Sequence, residues 1–148
     1  KRAEPETVVN EMSGAGNETL LLVDDEVAVR RVAEGVLKHY GYNILSADDG
    51  KDALDVYEQN KDEIRLVLLD LTMPRLSGKE TLVELRRRYG NVPVLVCSGY
   101  LVDLQGFEEE TGFRPEAAIQ KPYNIKDLAN KVREVLDRTA IEVANSKD

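Results

Sequence analysis

Short apolar runs alternate along this chain with stretches whose apolar positions recur every three or four residues. Leu20-Leu21-Leu22-Val23 is bounded by acids and suits a strand buried on both faces of a parallel sheet. Val29, Val32, Ala33, Val36 and Leu37 then lie on one face of a helix that stops near Gly41. Tyr42 to Leu45 predicts a short strand. Gly50 to Asn60 predicts a second helix, with Ala53, Leu54 and Tyr57 inward. Leu66 to Leu69 is another wholly apolar strand. Gly78 to Tyr89 is a third helix, with Leu82 and Leu85 inward. Val92 to Cys97 is a strand with Pro93 at its start, where a missing donor does little harm. From 100 to 116 the pattern weakens. Leu101, Leu104 and Phe107 fit one helix facing a core, Gly106 weakens it, and Gly112 and Pro115 bound a loop. Ala117-Ala118-Ile119 makes a last short strand. Asn124 caps a final helix with the stripe Ile125, Leu128, Ala129, Val132, Val135 and Leu136.

Strand and helix thus alternate five times, which predicts an α/β fold with a parallel sheet covered on both faces. Right-handed crossovers make it doubly wound, and the simplest order is the flavodoxin-like 2-1-3-4-5. Residues 18–138 form this unit. Residues 1–17, ending in Gly-Ala-Gly-Asn, read as a linker or disordered tail, and 139–148 as a fraying C-terminal tail. Ligands of such sheets sit at the carboxyl ends of the strands, beside the switch point between the first and third.

The polar residues gather at that edge. Asp24, Asp25 and Glu26 follow strand one, Asp70 follows strand three, Ser98 strand four and Lys121 strand five. Neighbouring strands lie about 4.8 Å apart, so Asp24, Asp25 and Asp70 crowd together. Three such carboxylates do not all stay ionised without a cation. An all-oxygen donor set suits Mg²⁺, with Mn²⁺ the alternative. Taken singly, each acid reads as a helix cap or turn residue. Lys121, about 10 Å from strand three, can extend most of the way to Asp70 as a point charge for a phosphate oxygen. Ser98 supplies a hydroxyl donor from the strand between. A carboxylate nucleophile, a divalent cation, an ammonium and a hydroxyl are the parts that phosphoryl transfer requires.

Four motifs carry a resemblance. They are Leu22-Val23-Asp24-Asp25-Glu26, Asp70-Leu71-Thr72-Met73-Pro74 with Gly78, Cys97-Ser98-Gly99, and Lys121-Pro122-Tyr123. In this order at strand ends they resemble the receiver domains of two-component response regulators, from about Thr19 to Arg138. The resemblance implies that Asp70 accepts a phosphoryl group from the phosphohistidine of a histidine kinase or histidine phosphotransfer protein, and slowly hydrolyses it. It implies Mg²⁺ held by Asp70, by Asp25 directly, by Asp24 through water and by the Thr72 backbone carbonyl. Ser98 and Lys121 would bind phosphoryl oxygens, and the Lys121-Pro122 bond would be cis. Thr72 and Tyr100 fall where the family tunes phosphate lifetime. One position departs: Ala118 stands where the family often carries an aromatic ring that moves on activation. Tyr100, Phe107 and Phe113 are candidate substitutes.

Composition narrows the partners. The 148 residues are 42% hydrophobic and 32% charged, with a net charge of −8. So acidic a domain disfavours nucleic acid and anionic membranes. The run Arg86-Arg87-Arg88 reads as the cationic end of a helix. No apolar stretch approaches the roughly 20 residues that span a bilayer, and these residues show no signal-peptide pattern. The single cysteine, Cys97, fits core packing and a reducing compartment. These features place the domain in the cytoplasm, on a parent chain that is free or membrane-anchored. The start at Lys1 and the linker-like opening suggest the receiver of a hybrid histidine kinase, with a free-standing regulator as the alternative. No DNA-binding domain is expected in the few residues after the last helix.

The only histidine, His39, reads as a surface residue late in the first helix. No Gly-rich nucleotide loop accompanies it, so the phosphoryl donor lies outside this chain. Two other classes compete. An aspartyl-phosphate phosphatase of the haloacid dehalogenase type would carry a second Asp two residues after the nucleophile, where this chain has Thr72. A pseudo-receiver that only binds partners would not need the full set of Asp24, Asp25, Asp70, Ser98 and Lys121. The domain itself reads as a switch, without turnover beyond its own phosphorylation and dephosphorylation.

Overall fold

The computed structural model describes residues 14–73 and 76–146. The first part of the expected N-terminal tail and Pro74 of the second motif lie outside those residues. Five strands alternate with five helices: β1 (Thr19–Val23), α1 (Val27–His39), β2 (Asn43–Ala47), α2 (Gly50–Asn60), β3 (Ile64–Asp70), α3 (Gly78–Tyr89), β4 (Val94–Ser98), α4 (Leu104–Thr111), β5 (Ala117–Gln120) and α5 (Ile125–Ser146). The strands form one parallel sheet in the order β2-β1-β3-β4-β5, as the alternation predicts.

Residue parity divides the core in two. Leu21, Val23, Val67, Leu69 and Val96 face α2, α3 and α4 through Ala53, Leu54, Leu82, Leu85 and Phe107. Leu20, Leu22, Leu66, Leu68 and Leu95 face α1 and α5 through Ala33, Leu37, Leu128, Ala129, Val132 and Val135. Period two on the strands and three to four on the helices thus meet on both faces. The caps explain two helix starts. Ser77 and Glu80 form a reciprocal capping box at α3, and Asn124 Oδ1 accepts from the Asp127 N–H at α5.

Several sequence expectations need correction. Val32, Leu101 and Ile125, assigned to core faces, are exposed at 65%, 83% and 51%. Each lies at the edge of its helical stripe or in the loop before α4, beyond the cover of the sheet. The helix of the 100–116 stretch starts only at Leu104, and within it Phe107 alone is fully buried. Helix α5 continues through 139–146, which the pattern assigned to a fraying tail.

The last four residues of the expected N-terminal tail are strapped to the body. Gly14 O accepts from the Tyr42 hydroxyl at 2.6 Å, and the Gly16 N–H donates to Tyr40 O at 3.1 Å. Arg133 of α5 donates to Ala15 O and to the Glu18 carboxylate. A methyl group on Gly14 would collide with Ala129, and one on Gly16 with Arg133, Glu18 and Tyr42. The strap lies at the amino-terminal edge of the sheet, opposite the edge where the acids gather.

Candidate functional site

The carboxyl edge of the sheet gathers the chemistry. Asp24, one residue past β1, and Asp70, the last residue of β3, are both buried. Carboxylate oxygens of Asp24, Asp25 and Asp70 all lie within 4.8 Å of one another. These are hard oxygen donors on neighbouring strands, and Asp25 is only half-buried, so water has access. The donor set fits a small divalent cation such as Mg²⁺.

Each acid is held by backbone. Asp24 Oδ1 accepts from the Glu26 N–H at 2.9 Å, and the Asp24 N–H donates to Ala47 O at 3.2 Å. Asp70 Oδ1 accepts from the Thr72 N–H at 3.2 Å. Lys121 projects from just past β5, with Nζ 2.9 Å from Asp24 Oδ2 and 3.7 Å from Asp70 Oδ2. Its peptide bond to Pro122 is cis, as the resemblance implied. Ser98, the last residue of β4, is fully buried, and its Oγ accepts from the Tyr100 N–H at 3.0 Å. The Ser98 carbonyl accepts from the Lys121 N–H at 2.6 Å, tying the ends of β4 and β5 together.

Electrostatics follow from this crowding. Burial, opposed by the Thr72 N–H and Lys121 but reinforced by Asp24 and Asp25, raises the Asp70 pKa. Burial pulls Lys121 down, yet its hydrogen bond and charge attraction to Asp24, and then Asp70, leave its pKa raised overall. Burial pushes the Cys97 thiol up to about 12, so it is an inert packing group, as expected. Burial also pushes the Tyr123 phenol up to about 12.

Two glycines are forced by close approach. A side chain on Gly78 would collide with the Asp70 carbonyl and Leu71 Cα, so α3 starts directly against the loop that follows Asp70. One on Gly50 would meet Thr81 Oγ1 and Leu76 O. All five side chains picked out by the sequence therefore converge on one edge, with Thr72 beside them on the Asp70 loop. Arg30 was not picked out. Its guanidinium reaches back from α1 to the Asp24 carbonyl at 2.6 Å. A spacing of six residues falls on neither the helical nor the strand period, so periodicity gives no signal for it.

A model of the response regulator receiver domain matches residues 20–133. The chain belongs to the response regulator receiver domain family. Sensor kinase CckA of Brucella abortus is 34% identical over 128 residues, which cover 84% of this chain and 13% of the kinase. The probable transcriptional regulator ycf27 of Porphyridium aerugineum is 35% identical over 121 residues, covering 82% of this chain and 49% of that protein. The chain thus spans half or less of these two relatives. A solved receiver domain from the hybrid histidine kinase CckA matches with a TM-score of 0.65 at 36% identity, covering 80% of this chain and 98% of that one. A receiver domain from Clostridium thermocellum, at 23% identity and a TM-score of 0.75, shares the fold.

Receiver domains of two-component signalling are phosphorylation switches that interact with histidine kinases or phosphotransfer proteins, and the family binds Mg²⁺ at its acidic pocket. Among the described residues of this receiver domain, no helix is long and apolar enough to cross a membrane. The family's frequent aromatic near β5 is Ala118 here. Of the candidate substitutes, Phe107 lies in the core and Phe113 packs partly against it. Tyr100 is 52% exposed and lines a surface cavity of about 310 Å³ together with Ala118.

Proposed function

We propose that Asp70 is the phosphoacceptor of this receiver domain, and that Asp24, Asp25, Asp70 and the Thr72 carbonyl hold Mg²⁺. The observation that carries the reading is the clustering of three carboxylates within 4.8 Å of one another, with an ammonium 3.7 Å from one of them. When bound, the cation neutralises charge on the phosphoryl oxygens and the acids that surround them.

The chain's own residues do the rest. A carboxylate oxygen of Asp70 attacks phosphorus, the phosphorus–nitrogen bond to the donor imidazole breaks, and the imidazole leaves with its electron pair. Burial keeps the Asp70 carboxylate poorly solvated, which favours attack. Lys121 neutralises one phosphoryl oxygen, and Ser98 donates its hydroxyl proton to another. In hydrolysis water attacks phosphorus, the bond from phosphorus to the Asp70 carboxylate oxygen breaks, and the carboxylate leaves with its electron pair as inorganic phosphate and a proton are released.

The donor is a histidine kinase or histidine phosphotransfer protein. Residues 18–138 form the working unit. The likeness to CckA supports a parent chain of the hybrid-kinase kind, with its receiver in the cytoplasm. The test is transfer of labelled phosphate from an autophosphorylated histidine kinase. Label moves to the wild type with Mg²⁺ and not with EDTA. Transfer that persists in EDTA contradicts the metal assignment, and the absence of transfer from any donor contradicts the acceptor assignment.

A further inference from the structure

We infer that Arg30 is a positioning residue for the acidic cluster: its guanidinium locks the peptide plane between Asp24 and Asp25 and so aims the Asp25 carboxylate. This rests on the metal reading above. Past the end of β1 the Asp24 N–H still joins β2, through Ala47 O at 3.2 Å. The carbonyl of the same residue accepts from Arg30 Nη1 at 2.6 Å, from a partly buried position on α1.

The lock has direct geometric consequences. The Asp24 carbonyl and the Asp25 N–H share one planar unit. Fixing that plane places the Asp25 Cα, which lies in it, and so restricts the directions in which the Asp25 side chain leaves the chain. The Asp24 carboxylate is already fixed on both oxygens, by the Glu26 N–H and by Lys121. The acid one helical turn further on, Glu34, pairs instead with Lys38 at 2.8 Å and Ser46 at 3.3 Å. A charged donor on a carbonyl makes a strong, directional bond, which a loop carrying metal ligands requires. The same guanidinium also brings positive charge close to the acids, and through charge alone that would weaken cation binding.

The two effects have opposite signs, which makes the role testable. Mg²⁺ binding to the full chain is measured by calorimetry, without any phosphoryl donor, for wild type, Arg30→Gln, Arg30→Lys and Arg31→Gln. Arg31 is exposed one residue along the same helix, and its loss removes equal charge without touching the Asp24 carbonyl. The expected result is about tenfold weaker Mg²⁺ binding in Arg30→Gln, partial recovery in Arg30→Lys, and unchanged or tighter binding in Arg31→Gln. Equal or tighter binding in Arg30→Gln than in Arg31→Gln overturns the role of Arg30 and leaves the metal site standing. A wild type that binds no Mg²⁺ overturns the metal reading and this inference with it. If Arg30→Gln fails to fold, the comparison of Arg30→Lys with wild type decides: binding equal to wild type contradicts the need for the guanidinium.

Discussion

The Lys121 ammonium stands 2.9 Å from Asp24 and 3.7 Å from Asp70, so one cation from the end of β5 bridges acids from β1 and β3. Its side chain is 19% exposed and those of the two acids 6% and 5%, so solvent screens these charges little. The bridge lets a single ammonium serve the two buried acids of the cluster.

Removing that ammonium leaves the acids facing one another. Lys121→Met is therefore expected to lower unfolding stability by about 1–3 kcal/mol in EDTA, less than breaking a fully buried pair costs, because the ammonium is partly exposed. Mg²⁺ should restore part of the loss, because the cation binds only the folded cluster. Urea unfolding with and without Mg²⁺ checks both. A variant as stable as wild type in EDTA would contradict the bridge.

Asp70 gives a pH signature. Its folded pKa is raised, chiefly by burial, so the native state holds this proton more tightly than the unfolded chain does. Its ionisation therefore costs stability, beginning as pH rises above the ordinary carboxylate value and complete above the raised one. Asp70→Asn removes that cost. It is expected to be more stable than wild type at neutral pH in EDTA, with the gain fading as pH falls into the ordinary carboxylate range. Melting curves from pH 3 to 7 test this, and a gain that grows on acidification would refute the sign.

The loop after Asp70 depends on Gly78. Alanine there would press on the Asp70 carbonyl and Leu71 Cα, both backbone and unable to swing aside. Gly78→Ala is expected to cost about 2 kcal/mol or more, whereas Gly99→Ala, with open space around it, should cost little. Parallel denaturant titrations separate the two.

At the opposite edge, Arg133 ties α5 to the incoming chain through Glu18 at 2.7 Å and Ala15 O at 3.2 Å. The hydrogen bond from Arg133 lowers the Glu18 pKa, so this contribution is present above the ordinary glutamate value and is lost as pH falls through the lowered one. Arg133→Ala should destabilise by about 1 kcal/mol at neutral pH and by less in acid. It should also speed amide exchange at Gly16 in hydrogen-exchange measurements. Unchanged exchange would mean that the strap holds without the arginine.

The sequence showed most of this architecture because burial on both faces imposes unbroken apolar runs on β1, β3 and β4, and helices against a sheet show a three-to-four period. It also showed the site, because a parallel sheet delivers whatever follows each strand to the same edge; Asp24, Asp70, Ser98 and Lys121 needed only their places in the chain. Periodicity failed where a stripe outruns its cover. Val32 and Ile125 continue helical stripes yet face solvent. It failed again where contacts join distant residues off the period. Arg30 on the Asp24 carbonyl and Arg133 on Glu18 are side-chain bonds that no spacing rule encodes. The strap on Gly14 and Gly16 resembled a linker because small residues serve both flexible chains and tight approaches.

The central claim is that Asp70 accepts phosphate with the help of a divalent cation. The most direct measurement is intact mass spectrometry after incubation with acetyl phosphate and Mg²⁺, beside Asp70→Asn and an EDTA control. The account predicts one added phosphate on the wild type, and none on the variant or in EDTA. A wild type that stays unmodified under conditions where another receiver domain gains phosphate, or an adduct that persists in Asp70→Asn, would contradict it.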